Sequence, residues 1–195
     1  MKKVSKRARE LPPFIVMEVL EKAHALERQG RNIIHLEVGE PDFPTPRGIC
    51  KAAQEAMNKG DTHYTHSLGV LELREAISEQ NYETYRVQVD PGQIIVTSGT
   101  SPALFMIFSS LLEIGDEIIM SDPHYPCYPN YANFLGAKPV FVNVHEEDGF
   151  QLRQEEIKKK MDQMTITILI NSPSNPTGNL LSSERMKEIV DLVLP

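Results

Sequence analysis

The chain has 195 residues, of which 41% are hydrophobic and 24% charged, with a formal net charge of −7 and a pI near 5.4. This is a globular composition long enough for one sizeable core, and the acidic balance excludes a nucleic-acid binder that works through a basic surface. The longest apolar runs, such as Ala103 to Phe108, are too short to cross a bilayer, and no secretory signal is visible. Cys50 and Cys127 form neither a disulfide framework nor a CxxC metal pair, so the expected compartment is the reducing cytoplasm.

In chain order, Lys2, Lys3, Lys6, Arg7 and Arg9 lead into Leu11-Pro12-Pro13 and read as a solvated arm. Apolar residues at three- and four-residue spacing predict a helix over 14–29, stopped by Gly30. Ile33 to Val38 reads as a short strand, followed by the stiff loop Gly39-Glu40-Pro41-Asp42-Phe43-Pro44. Thr45 is the expected N-cap and Pro46 the first residue of a helix that closes at Gly60. A loop holding His63, Tyr64 and His66 precedes a helix over about 70–85.

From Pro91 the pattern alternates strand, loop and helix, the mark of an α/β domain with a mostly parallel sheet flanked by helices. Strands are predicted over 93–97, 117–121, 138–144 and 165–170. Helices are predicted over 103–112, 128–135, 154–163 and 183–194. The last strand, Thr165 to Ile170, is β-branched or apolar on both faces, as in a sheet covered on both sides.

Three loops at the carboxyl ends of strands carry chemistry, because ligands of open α/β sheets sit at that edge. Ser98-Gly99-Thr100-Ser101-Pro102 combines hydroxyls, a glycine and a helix start, which suits a phosphate and equally an ordinary N-cap. It is neither a Walker A loop nor a GxGxxG fingerprint. Asp122-Pro123-His124-Tyr125-Pro126 brings a ring on which a flat heteroaromatic ligand can stack, although taken alone a tyrosine there is more often a packing residue or a hydroxyl anchor than a stacking platform. Asn171-Ser172-Pro173-Ser174-Asn175-Pro176-Thr177-Gly178 reads by turn chemistry as successive turns, and Asn175 offers an amide to a ring oxygen. Phosphate seat, stacking ring and amide together describe a phosphorylated aromatic cofactor.

Val38 to Pro46, the Tyr64 to Leu73 segment, Thr97-Ser98-Gly99-Thr100, Asp122 to Pro126 and Asn171 to Gly178 together resemble the class I and II pyridoxal-phosphate-dependent aminotransferases of fold type I, in that family's order and over nearly the whole chain. The resemblance implies an arm and first part of a small domain over 1–45, a partial large domain over 46–195, and pyridoxal 5'-phosphate as cofactor. It implies that Ser98, Gly99 and Thr100 bind the phosphate, that Tyr125 stacks on the pyridine ring, and that Asn175 pairs with the ring's 3-hydroxyl. Gly39 would present its backbone to the substrate carboxylate, and Tyr64 would reach the phosphate of the neighbouring subunit in a homodimer. Asn175-Pro176 would be cis, with Asp122-Pro123 a second candidate. His63, His66 and His124 receive no role.

The family also uses a lysine to anchor the cofactor and move the proton, an aspartate at the pyridine nitrogen and a late arginine for the α-carboxylate. None of these is matched here, and Lys138, Lys158 to Lys160 and Lys187 read as solvated surface. The chain therefore resembles the N-terminal half of an aminotransferase, and no residue in it is expected to be catalytic by itself. The implied activity is amino-group transfer from a 2-amino acid to a 2-oxo acid. The alternatives are a catalytically silent fragment, or one half of a split enzyme completed by a C-terminal partner chain, and a nucleotide-binding α/β domain is disfavoured. Neither nucleic acid nor membrane is an expected partner. With its later strands missing, the strand at 93–97 would lack neighbours, and the isolated chain is expected to be poorly folded or sticky.

Overall fold

The computed structural model describes residues 4–193; Lys2 and Lys3 of the predicted arm and Leu194 of the last predicted helix lie outside them. Of the described residues, those up to Arg31 and those from Ala103 onward form one compact unit, and Asn32–Pro102 form a second.

The first unit is built on a three-stranded parallel sheet of β1 (Glu117–Asp122), β2 (Lys138–Asn143) and β3 (Thr165–Leu169), in the order β2-β1-β3. β1 is the central strand and its first four residues are all buried, because a strand paired on both sides and covered on both faces has no solvent-facing side. Successive β1 side chains feed opposite faces. Ile118 and Met120 pack with Phe108 and Leu112 at the end of α5 (Thr100–Leu111) and with Ala132 of α6 (Cys127–Leu135). Ile119 packs with Val142, with Ile157 of α7 (Gln154–Lys160) and with Ile189 of α8 (Ser183–Val193). Helices thus lie on both faces, as the strand–helix alternation predicts.

α6 ends in Gly136, whose φ of +87° lets its N–H reach back to Ala132 and Asn133. A Cβ there would also come within 3.2 Å of Ile114. Glu117, buried at the start of β1, is held by Lys138 Nζ across the sheet at 2.6 Å.

The N-terminal arm is more ordered than its composition predicts. Ser5 caps a short helix α1 (Lys6–Glu10), and Arg7 donates to the Phe134 carbonyl while its guanidinium sits 5.6 Å from that residue's ring. Helix α2 (Ile15–Glu27) lies within the predicted 14–29 span, ending two residues short of Gln29, and buries Ala23.

The second unit holds α3 (Arg47–Lys59) and α4 (Leu71–Tyr85), and Arg74 is its one fully buried residue. Arg74 donates to the carbonyls of Gly69 and Pro91 at 3.2 and 2.7 Å, and Ser78 donates to that of Val89. Three expectations are corrected here. Residues 33–38 and 93–97 are not strands: neither finds a strand partner among the described residues, and an isolated extended segment leaves its N–H and C=O groups to solvent or to loops. Val96 N–H bonds instead to the Leu68 carbonyl. The cap of α3 is Pro46 rather than Thr45, with no side-chain cap bond, so the helix begins one residue later.

Candidate functional site

Because β1 and β3 are neighbours and parallel, with Met120 opposite Leu169, the loops that follow them leave the same edge of the sheet side by side. This brings Tyr125 and Asn175 onto one rim. The turn after β1 contains a cis Asp122-Pro123 bond. His124 stacks on Phe141 of β2, centroids 5.0 Å apart and nearly parallel, and its Nδ1 lies 3.1 Å from the Ser121 carbonyl. A residue that the sequence left without a role therefore braces the turn that carries Tyr125.

The Tyr125 ring is half-buried between Phe14 at 6.2 Å and Tyr128 at 5.3 Å, and both neighbours meet it at steep angles rather than lying flat on it. Its phenol is pushed up to about 12, first by a hydrogen bond with Cys127 and then by burial, so it stays protonated across the neutral range. Burial likewise raises the phenol of Tyr128.

The loop after β3 contains two cis bonds, Ser172-Pro173 and Asn175-Pro176. It is closed by its own hydrogen bonds, Ser174 N–H to the Asn179 carbonyl at 2.9 Å and Gly178 N–H to the Ser174 carbonyl at 2.8 Å. Thr177 donates to the Asn179 amide oxygen, and Asn179 Nδ2 donates to the Phe150 carbonyl at 3.2 Å. Within this closed loop the Asn175 side chain is exposed and has no hydrogen-bond partner among the described residues.

In the second unit, Gly99 adopts a φ of +91° with no heavy atom within 4 Å of where a Cβ would stand. Thr97 Oγ1 donates to the Gly99 carbonyl at 2.6 Å, which holds the turn at the point where Thr100 opens α5. The Gly99 N–H is taken by the Thr97 carbonyl at 2.9 Å, while the first N–H groups of a helix have no intrahelical partners, so Ser98 and Thr100 present hydroxyls and backbone N–H groups on an open glycine turn, a donor set that fits a phosphate. Gly39 lies in an exposed loop with open space beside it, and Tyr64 is fully exposed at 108%.

Every described lysine of the first unit is on a helix or, for Lys138, at the amino end of a strand. A cavity of about 640 Å³ lies along β2 and α7, lined among others by His145, Asp148, Arg153 and Glu156; Arg153 there is bound to Asp148 at 2.7 Å. It is open and mixed in charge, and none of the residues singled out in the three loops lines it. Among the described residues no group of three or more His, Cys, Asp or Glu could hold a metal, and no helix is long and apolar enough to cross a membrane. Sequence reasoning gave no role to Tyr128 or to the Asn171 side chain, whose mutual contact spans 43 positions and carries no local signal.

Residues 31–194 match the family described as aminotransferase class I and II. The chain is 43% identical over 181 residues to a (5-formylfuran-3-yl)methyl phosphate transaminase of Methanocaldococcus jannaschii, covering 93% of this chain and 47% of that protein. It is 38% identical to an aspartate aminotransferase of Bacillus subtilis, covering 98% of this chain and 49% of that one. Among solved structures, the aspartate aminotransferase from Thermus thermophilus with maleate superposes with a TM-score of 0.94 at 35% identity, covering 98% of this chain and 50% of that one. The chain spans about half the length of these relatives, and its α/β architecture is that of fold type I. The chain belongs to the class I and II aminotransferase family.

Proposed function

We propose that the chain forms the cofactor-holding part of a pyridoxal-phosphate-dependent aminotransferase, which moves the amino group of a 2-amino acid to a 2-oxo acid. The observation that carries this reading is the pairing of a braced, half-buried Tyr125 ring with the Asn175 side-chain amide, which has no partner among the described residues, on adjacent strand ends. Tyr125 stacks on the pyridine ring and Asn175 meets the 3-hydroxyl. Ser98, Gly99 and Thr100 take the phosphate, Tyr64 reaches the phosphate bound by a second subunit of a cytoplasmic homodimer, and Gly39 turns its backbone to the substrate carboxylate. The organisation is that of an arm and part of a small domain over 1–45 with part of the large domain over 46–195. When bound, the cofactor supplies an electron sink for loss of the α-proton.

A second reading rests on the position of the described lysines of the first unit, none of which stands on the two loops. In it this polypeptide holds the cofactor and a complementing C-terminal half supplies the anchoring lysine. Absorbance spectra of the purified chain with pyridoxal phosphate, before and after borohydride, with a mass measurement, separate the two. A fixed mass gain at one lysine supports catalysis by this chain. Reversible binding without a mass gain supports the second reading, and no binding at all overturns both.

A further inference from the structure

The two loops that carry Tyr125 and Asn175 are joined by a short relay of side chains. Tyr128, the second residue of α6, meets the Tyr125 ring at 5.3 Å, and its N–H donates to the Tyr125 carbonyl at 3.1 Å. Asn171, just past β3, is partly buried, and the groups around it fix the orientation of its amide. In that orientation its nitrogen donates to the Pro173 carbonyl at 3.1 Å, while its oxygen accepts both the Tyr128 hydroxyl at 3.2 Å and the Asn175 N–H at 3.0 Å. The rest of the 172–181 loop closes on itself or on Phe150 and Gln151, including Ser172 Oγ, which accepts the Leu181 N–H at 3.0 Å. Among the described residues, the Tyr128–Asn171 bond is the one hydrogen bond that joins this loop to the Tyr125–Tyr128 segment.

We propose that Tyr128 and Asn171 form a latch between the two loops, which fixes the Asn175 backbone relative to the Tyr125 ring and makes both of them positioning residues for a flat phosphorylated pyridine ring. The positioning role rests on the reading that Tyr125 and Asn175 hold that ring; the latch itself does not. The physical basis is the shared acceptor. An amide oxygen that receives two donors cannot turn without losing both, so removal of the Tyr128 hydroxyl frees Asn171 and, through it, the Asn175 amide. The latch acts on a bound ring through the residues it holds, the Tyr125 ring that Tyr128 meets and the Asn175 N–H that Asn171 accepts.

Two readouts on the chain test this. The first needs no cofactor: amide hydrogen exchange at Asn175, followed by NMR. Tyr128→Phe keeps the ring and its packing but removes the donor, and it is expected to speed Asn175 exchange by about threefold to tenfold. Asn171→Ala does the same or more, whereas Asn171→Asp retains the acceptor oxygens and keeps Asn175 protected. Tyr85→Phe, at an exposed position on α4, is the control with no effect. The second readout is pyridoxal 5'-phosphate affinity from quenching of tyrosine fluorescence, which is unobscured because the chain has no tryptophan. Tyr128→Phe is expected to weaken binding by about threefold to tenfold with an unchanged thermal midpoint. Unchanged Asn175 exchange in both Tyr128→Phe and Asn171→Ala overturns the latch. Altered exchange with unchanged affinity overturns its positioning role. Altered exchange in a chain that binds no cofactor leaves the latch standing and overturns the cofactor reading.

Discussion

At the scale of single residues, Tyr125 links stability to ligand binding. Its phenol titrates near 12 in the folded chain against about 10 when unfolded, so the folded state holds the proton more tightly. A raised folded value means that its stabilising contribution is complete below about pH 10 and is lost as pH climbs toward about 12. Denaturant midpoints measured across that window should fall more steeply in the wild type than in Tyr125→Phe; parallel curves would remove Tyr125 as the cause. For binding, Tyr125→Ala should weaken pyridoxal phosphate by about tenfold, the scale of one aromatic stacking contact, and an unchanged titration would contradict the stacking role. Arg74 makes the corresponding structural case in the other unit. Arg74→Ala leaves the Gly69 and Pro91 carbonyls without their donor and should cost about 1–3 kcal/mol in chemical denaturation.

At the scale of elements, the central strand carries the fold because its two sets of side chains close two separate cores. Ile119→Ala opens a cavity against Val142, Ile157 and Ile189 and should cost about 2–5 kcal/mol, whereas Ile166→Ala on half-exposed β3 should fall well below that. Equal losses at both positions would contradict the packing assignment. What could be read from sequence follows the same division. α4, α6 and β1 announce themselves by local periodicity and by Gly136, and two of the three cis prolines, Asp122-Pro123 and Asn175-Pro176, are anticipated by resemblance. Residues 33–38 and 93–97 have strand composition but no strand, because a strand is a property of a pair and no described residue pairs with them. The loops bearing Tyr125 and Asn175 were legible as strand-end motifs. Their link through Tyr128 and Asn171 was not, since it depends on residues 43 positions apart meeting across two strand ends.

At the scale of the molecule, the two outer edges of the sheet differ in their protection. Lys138 and Val144 direct their N–H groups to β1, which turns the backbone of Pro139 outward, and proline has no N–H to offer a foreign strand. β3 has no such guard. Its Ile166 is 51% exposed, and beside it an apolar cleft of about 330 Å³ is lined by Ile107, Leu111 and Leu169. In the other unit Leu36 is 89% exposed and Ile34 82%. The isolated chain should therefore self-associate as concentration rises, and Ile166→Lys should reduce light scattering. A chain that stays a monodisperse monomer as concentration rises would contradict this. Residues 32–102, with Arg74 alone fully buried, should also be the first segment cut in limited proteolysis.

The central claim is that the chain holds a phosphorylated pyridine ring between the loops after β1 and β3. The most direct measurement is a map of backbone amide shifts as pyridoxal 5'-phosphate is added to the labelled chain. The account predicts saturable shifts at Tyr125 and at Asn175, with one common dissociation constant. Shifts confined to the cavity of His145, Arg153 and Lys160, or no saturable shifts at all, would contradict it.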